Sequence, residues 1–187
     1  GFCEGAQQPG IPATDDFNPG DNEGVGYFEV NQRNGWRWNT AKAFLRPTCN
    51  TRPNFEMWTG TQVAKLVLEA QTCACGTPQR CTGVQVWNGS ELVTVQCCGE
   101  IILCAGSIGS PQILQLSGIG PGAVLRDKGI DVVHDLPGVG ENLQDHLQIR
   151  SVYKVKSPNG KNISLNTQAN SLLGKAKIGL EYLFKQT

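Results

Sequence analysis

This 187-residue sequence has only two histidines, no excess of charge of either sign and no long hydrophobic run. Lysine plus arginine and aspartate plus glutamate both total 16, so no net field favours nucleic acid or a membrane surface as a partner. A small-molecule ligand is expected instead. The apolar runs are only a few residues long, whereas a membrane-spanning helix needs about 20. The first residues, GFCEGAQQPG, also lack the basic-then-apolar pattern of a signal peptide.

Cysteine, by contrast, is plentiful, with eight residues. Cys73, Cys75 and Cys81 are spaced closely enough to suggest a metal clip, but no second pair at zinc-finger spacing and no nearby histidine completes four ligands, so no metal site is expected. A chain long enough to bury a core has little need of a disulfide framework, which favours reduced thiols in an intracellular compartment. The sequence starts without Met and stops within a helical pattern, and we interpret it as an internal piece of a longer protein.

The middle of the chain has β character. Residues 62–69 alternate apolar and polar side chains, and residues 82–87 and 91–96 flank Asn88-Gly89, a strong hairpin turn. These segments predict a three-stranded meander. After Glu100 the sequence Ile101–Cys104 is continuously apolar, which is typical of a strand covered on both faces in a parallel sheet. A small-residue turn, Ala105-Gly106-Ser107, then leads into a helix that ends at Ser117-Gly118, with Pro111 in its early turns.

The remaining pattern is less regular. Before the meander we expect an irregular loop over 1–24, a strand over 26–32, a turn at Asn34-Gly35, a helix over 41–46 and a strand over 55–59. The helix over 41–46 is expected to be capped by Asn39 or Thr40 and to end near Pro47. After the signature helix we expect a helix over 121–128, a strand over 131–134, a glycine-rich turn over 136–146 and a helix over 167–185. In the last helix, six apolar side chains are expected to face mostly inward, namely Leu172, Leu173, Ile178, Leu180, Leu183 and Phe184.

The turn at 105–107 is the most informative point. In doubly wound sheets, ligands bind beyond the carboxyl ends of the strands, and glycine lets the backbone approach a ligand closely. An ordinary tight connection between strand and helix is the alternative. Gly118-Ile-Gly120 and Gly138-Val-Gly140 invite a dinucleotide interpretation, but Ala123 and Leu143 stand where the third glycine of G-x-G-x-x-G would be, and no buried strand leads into Gly118.

Residues 106–120, GSIGSPQILQLSGIG, resemble the second signature of the glucose–methanol–choline (GMC) family of flavin oxidoreductases at every constrained position. The resemblance covers roughly the whole chain except residues 70–81 and is closest to the choline dehydrogenase-like branch. It extends through Asp16–Asn18, Glu23–Tyr27, Gly35–Pro47, Arg52–Asn54 and Leu136–His146.

The resemblance implies a mixed α/β fold: part of a doubly wound FAD-binding domain with a β-meander, plus part of a substrate domain built on an antiparallel sheet. Residues 1–54 are then substrate-domain and connecting segments, 55–146 belong to the FAD-binding domain, and 147–187 begin the next substrate-domain segment. FAD is the implied cofactor. The candidate cofactor-binding residues are Val63, through its backbone near the adenine, Ala105, Gly106 and Ser107 near the ADP half, and Asn142 and His146 in the glycine-rich turn.

The reaction implied is oxidation of an alcohol, in which a base takes the hydroxyl proton and hydride passes to the flavin. By the same resemblance, the catalytic histidine is expected beyond residue 187 and the pyrophosphate-binding G-x-G-x-x-G before residue 1, so no catalytic residue is assigned to this chain. Of its two histidines, we expect His134 to be a surface or structural residue, and His146 to support a hydrogen-bonded network near the cofactor or to cap or pack a turn. Asn142 and Asp145 suit hydrogen bonds to turn amides.

Two alternatives stay open. Cys104 before the Ala-Gly turn also resembles the light-driven fatty-acid decarboxylase branch of the family, but Pro121-Gly122-Ala123 stand where that branch is expected to carry an arginine for the carboxylate. The chain could also be a non-catalytic binding or structural remnant. As an isolated polypeptide it is expected to bind FAD weakly or not at all and to be inactive. The substrate alcohol and the electron acceptor, oxygen or a quinone, cannot be inferred from this sequence.

Overall fold

A computed structural model describes residues 1–49, 51–70, 79–154 and 164–185. The chain divides into two compact units, Gly1–Glu56 with Val152–Thr187, and Met57–Ser151. The mixed helix and sheet class is confirmed. Among the described residues, no helix is both long and apolar enough to cross a membrane.

The first unit is mostly irregular. Helix α1 (Phe2–Gln7) lies where only loop was predicted, and the predicted strand over 26–32 is reduced to its end, β1 (Gln32–Arg33), paired antiparallel with β2 (Trp36–Arg37). The turn between them is confirmed: Asn34 and Gly35 have φ angles of 50° and 71°, as a tight hairpin turn requires. A strand of seven residues needs a partner of similar length, and the short hairpin supplies only two paired positions.

The predicted short helix is present but does not end at Pro47. A π-helical turn over Ala41–Leu45 continues into α2 (Arg46–Cys49). Pro47 is the second residue of α2, and its ring nitrogen has no N–H to donate back to the π-helical turn. The Asn39 side chain accepts a hydrogen bond from the Lys42 backbone N–H (3.0 Å), as expected of a capping residue. The strand predicted over 55–59 does not form with any described residue; residues 55–59 have no regular secondary structure.

The end of the chain forms two helices, α5 (Leu165–Gln168) and α6 (Leu172–Lys185). The predicted inward-facing apolar side is wrong: five of the six side chains proposed for it are exposed, namely Leu172, Leu173, Leu180, Leu183 and Phe184. Helical periodicity predicts an apolar stripe but not the surface that covers it. Tyr182 is fixed, because its hydroxyl donates to the Gly35 carbonyl oxygen (2.8 Å) and its ring lies edge-on to Trp36.

The second unit contains the predicted meander. Strands β3 (Gln62–Ala70), β4 (Gln79–Trp87) and β5 (Leu92–Gln96) form one antiparallel sheet in the order β3-β4-β5. The Asn88 side chain closes the β4-β5 turn by accepting hydrogen bonds from the N–H groups of Ser90 and Glu91, both at 3.0 Å. This local turn chemistry confirms the hairpin.

The apolar segment before the helix differs from its prediction. Residues 101–104 are extended but form no strand with any described residue, and Ile102 is 80% exposed. A continuous apolar run predicts burial without specifying a neighbour. Within the described residues, parallel pairing is limited to β6 and β7, each two residues long, and to an isolated bridge between Ala13 and Val25, and so offers this segment no ladder.

Helix α3 (Gly106–Leu116), β6 (Ile119–Gly120), α4 (Gly122–Asp127) and β7 (His134–Asp135) follow in order. The helix ends at Ser117-Gly118 as predicted, and the strand expected over 131–134 pairs slightly later, Ile119 with His134 and Gly120 with Asp135. The buried apolar side chains of the described residues all lie in this unit: Val86, Ile113, Leu125 and Val139. In this unit α3 contacts β3 of the meander and β6, and α4 contacts β6.

Candidate functional site

The start of α3 has an unusual backbone. Ala105 is its N-cap residue, and Gly106, the first helical residue, has a φ of +82° with open space where a Cβ would be. Glycine is therefore required here by the left-handed backbone and not by crowding. The open side gives another molecule room to approach this backbone.

The first turn of α3 carries unused hydrogen-bonding groups. The N–H groups of a helix's first turn have no acceptor within the helix, and no described side chain caps this one. The Ser110 hydroxyl oxygen accepts instead from the Ala105 N–H (3.0 Å), just outside the helix. Pro111 has no N–H to donate to the Ser107 carbonyl four residues earlier. Ser107 thus offers a backbone donor and a backbone acceptor that the helical ladder does not use.

An open groove of about 560 Å³ lies beside this turn. One wall is α3 and the other is the glycine-rich turn, and the lining residues are Ser107, Ile108, Ser110, Pro111, Gln112, Leu114, Gln115, Gly138, Val139, Gly140, Glu141 and Leu143. Its charge is uneven, because the positive end of the helix dipole lies at Ser107 and the Glu141 carboxylate lies in the opposite wall. Its size and its combination of apolar surface with a few polar groups are typical of small-molecule sites.

The walls are joined by a side chain that the sequence did not single out. Gln115 Nε2 donates to the Val139 carbonyl oxygen (3.1 Å), so the amide of α3 holds the glycine-rich turn. A similar tie joins α3 to the meander, where Ser117 Oγ accepts from the Leu66 N–H (2.8 Å) and donates to the Ile113 carbonyl (2.6 Å). Ser117 is 8% exposed. The sequence could have pointed to Ser117, because it is a polar residue immediately before Gly118, the glycine that ends the helix.

The predicted site residues are only partly brought together. Ser107 lines the groove, with Ala105 and Gly106 directly before it. Asn142 lies between two lining residues, has a φ of +54°, and accepts a hydrogen bond from the Gln144 amide (3.0 Å).

The other two predicted site residues lie outside the groove lining. His146 has a side chain 91% exposed, with Nδ1 3.6 Å from Asp145 Oδ1. Val63 lies in β3, paired with Val86. His134 is exposed in β7.

The cysteines and carboxylates form no metal cluster in the described part of the chain, where no three His, Cys, Asp or Glu side chains gather. Cys73 and Cys75 lie outside the described residues. Cys81 and Cys97 are partly buried thiols, and Cys104 is exposed, all without a disulfide to another described residue.

Solved structures with the same fold are flavin oxidoreductases. An FAD-dependent oxidoreductase from Chaetomium thermophilum matches with a TM-score of 0.75 and 27% identity, over 97% of this chain and 30% of that one. A pyridoxine 4-oxidase from Mesorbium loti matches with a TM-score of 0.63 and 32% identity, over 73% of this chain and 25% of that one. The fold is therefore shared with part of an FAD-dependent oxidoreductase.

The family model of GMC oxidoreductases matches residues 1–148, and the chain belongs to this family. An oxygen-dependent choline dehydrogenase from Brucella anthropi is 41% identical over 186 residues, covering 100% of this chain and 31% of that protein. One from Photobacterium profundum is 39% identical over 185 residues, covering 99% and 30%. The chain thus spans about a third of the length of these curated relatives. Family and structural relatives indicate FAD as the cofactor.

The groove residues fit part of such a cofactor. The unused amides at the start of α3 suit a phosphate or another anionic group, and the carbonyl of Ser107 and the carboxylate of Glu141 suit hydroxyl donors. The open backbone at Gly106 removes the Cβ that would keep a ligand away.

Proposed function

We propose that the protein containing this chain is an FAD-dependent oxidoreductase that oxidises the hydroxyl group of a small alcohol to a carbonyl. Within it, residues 55–146 supply part of the flavin nucleotide seat, residues 1–54 are substrate-domain and connecting segments, and residues 147–187 begin the next substrate-domain segment. The observation that carries the proposal is the groove at the start of α3, where the family signature, the open Gly106 and the unused backbone groups of Ser107 coincide.

The residues proposed to contact the cofactor act by binding and orientation. The N–H groups at Gly106 and Ser107 hold anionic or hydroxyl groups of the nucleotide, with the helix dipole favouring the anion, and Ala105 lies directly before them. Val63 offers backbone atoms of β3. Asn142 and His146 shape and flank the glycine-rich turn. When bound, FAD supplies the redox chemistry by accepting a hydride from the alcohol carbon.

Neither histidine of this chain is proposed as the general base. His134 is exposed in β7, and His146 extends into solvent beside Asp145. A base must lie within hydrogen-bond reach of the substrate hydroxyl in a site that excludes water. We therefore assign proton removal to a residue outside this chain.

The fatty-acid decarboxylase alternative is disfavoured by electrostatics. At the position where that branch is expected to carry a cation, the Gly122 N–H donates to the Asp135 carboxylate (2.8 Å). A second carboxylate brought to this point would meet like charge instead of a guanidinium. This contact supports alcohol oxidation over the decarboxylase function.

The names of the relatives select the first compounds to test. Choline is the first candidate, and pyridoxine follows from the structural relative that is a pyridoxine 4-oxidase. We expect the full-length protein to purify with bound flavin, and the flavin absorbance to bleach when an accepted alcohol is added without oxygen. Reoxidation on admitting air would identify oxygen as an acceptor, whereas a requirement for a quinone would identify the other class. A full-length protein that binds no flavin would contradict the proposal and favour a non-catalytic remnant.

A further inference from the structure

Two glycine pairs that resemble incomplete dinucleotide loops are close to the same side chain. A Cβ at Gly120 would lie 3.0 Å from Cγ of Gln115, and a Cβ at Gly140 would lie 3.0 Å from its Nε2. Both separations are tighter than ordinary van der Waals contact. The second glycine of each pair therefore makes room for Gln115.

The Gln115 side chain ends in a specific contact. Its Nε2 donates to the Val139 carbonyl oxygen (3.1 Å), and Val139 is itself buried. The beginning of the same turn is held by a separate hydrogen bond, in which the Leu136 N–H donates to the Gly120 carbonyl oxygen (2.9 Å). Gln115 thus fixes the far part of the turn, where Gly138–Leu143 form the second wall of the groove.

We propose that Gln115 is a positioning residue for the flavin nucleotide: its amide latches the glycine-rich turn onto α3 and sets the width of the groove between them. This inference rests on the proposed function, since it takes the groove as part of the flavin seat. Loss of the latch leaves the Val139 carbonyl unsatisfied and lets the turn move away from α3, which weakens nucleotide binding. A residue that served only core packing would change stability without changing the affinity of the folded protein.

A carboxylic acid at this position makes the latch respond to pH. In Gln115→Glu the protonated acid can donate to the Val139 carbonyl, whereas the carboxylate repels it. Partial burial and the facing carbonyl both raise the pKa of a glutamic acid above its ordinary value of about 4.3. Helix α3 carries no ionisable side chain, and the ionisable groups on the described elements packed against it, Lys65 and Glu69 in β3 and Glu141 in the turn, are unchanged in every variant.

The test compares the full-length wild type with Gln115→Glu, Gln115→Met and Gln112→Glu, measuring the FAD dissociation constant and amide hydrogen exchange of the flavin-free protein at pH 5 and pH 8. Gln112 lies in the same groove wall, so its glutamate adds the same charge without the contact to Val139. We expect Gln115→Glu to bind about tenfold more weakly than wild type at pH 8 and to recover at pH 5. Gln115→Met should be weakened at both pH values. Exchange at residues 139–143 should rise whenever affinity falls.

Equal pH dependence in Gln115→Glu and Gln112→Glu would overturn the inference, as would faster exchange in the turn with unchanged FAD affinity. If Gln115→Glu does not fold, wild-type affinity in Gln115→Met would overturn it in the same way. A wild type that binds no flavin would instead refute the proposed function and this inference with it, so the two failures are distinguishable.

Discussion

At the scale of single residues, Gly118 and Gly129 have similar left-handed backbones in different surroundings. Their φ angles are +83° and +69°. A Cβ at Gly118 would lie 2.5 Å from the Asp131 carbonyl oxygen and 2.7 Å from Cγ2 of Val133, whereas a Cβ at Gly129 would meet open space. The first glycine is therefore required by both conformation and packing, and the second by conformation alone.

This difference gives a matched pair of variants. Gly118→Ala should lower the free energy of unfolding by about 2–4 kcal/mol, because backbone strain and overpacking add. Gly129→Ala should lower the free energy of unfolding by only about 1 kcal/mol, since it adds backbone strain without overpacking. Denaturant unfolding of both variants checks the prediction, and equal losses would contradict the packing described around Gly118.

At the scale of elements, secondary structure was predicted best where an element pairs with a neighbouring segment of the chain or contains its own end signals. The hairpin around Asn88 is local, so the alternation of apolar and polar residues and the turn residues were enough to predict it. The helix over 106–116 could be predicted because a glycine marks each of its ends. The predictions of burial for residues 101–104 and for α6 were wrong for a common reason. Their apolar patterns are real, but burial depends on a surface that the pattern does not name, and in the described structure Ile102 and most of the apolar side chains of α6 are exposed.

Helix α6 also carries a charge pair whose pH dependence has a definite sign. Lys185 Nζ donates to Glu181 Oε1 (2.9 Å), and this hydrogen bond, with the attraction of the same ammonium group, lowers the pKa of Glu181. Because the pKa is lower in the folded state than in the unfolded state, the stabilisation is present above the ordinary glutamate range and is lost as the pH falls through the folded value. Both side chains are exposed, so salt also weakens the pair.

Carbon-detected NMR titration of the Glu181 carboxyl tests this pair. The midpoint should lie below that of an unfolded reference peptide and return towards it in Lys185→Gln. Lys175→Gln removes a charge from the same helix without touching the pair and should leave the midpoint in place. A midpoint that does not respond to Lys185→Gln would contradict the contact.

At the scale of the whole molecule, the sequence located the signature turn and its helix, and with them the first wall of the candidate site. It did not find the second contact between the walls, because Gln115 occupies an ordinary position in the helix and meets Val139 only after the chain has folded back through β6 and β7. The two glycine pairs do not complete a phosphate-loop pattern in the sequence, and their second members, Gly120 and Gly140, leave space for the Gln115 side chain instead.

The central claim is that the start of α3 forms part of the flavin nucleotide seat. The most direct measurement is an experimental structure of the full-length protein with FAD bound. We predict nucleotide atoms within hydrogen-bond distance of the backbone at Gly106 or Ser107, in the groove closed on its other side by residues 138–143. A structure in which other side chains of the protein fill this groove, with the flavin bound elsewhere, would contradict the account.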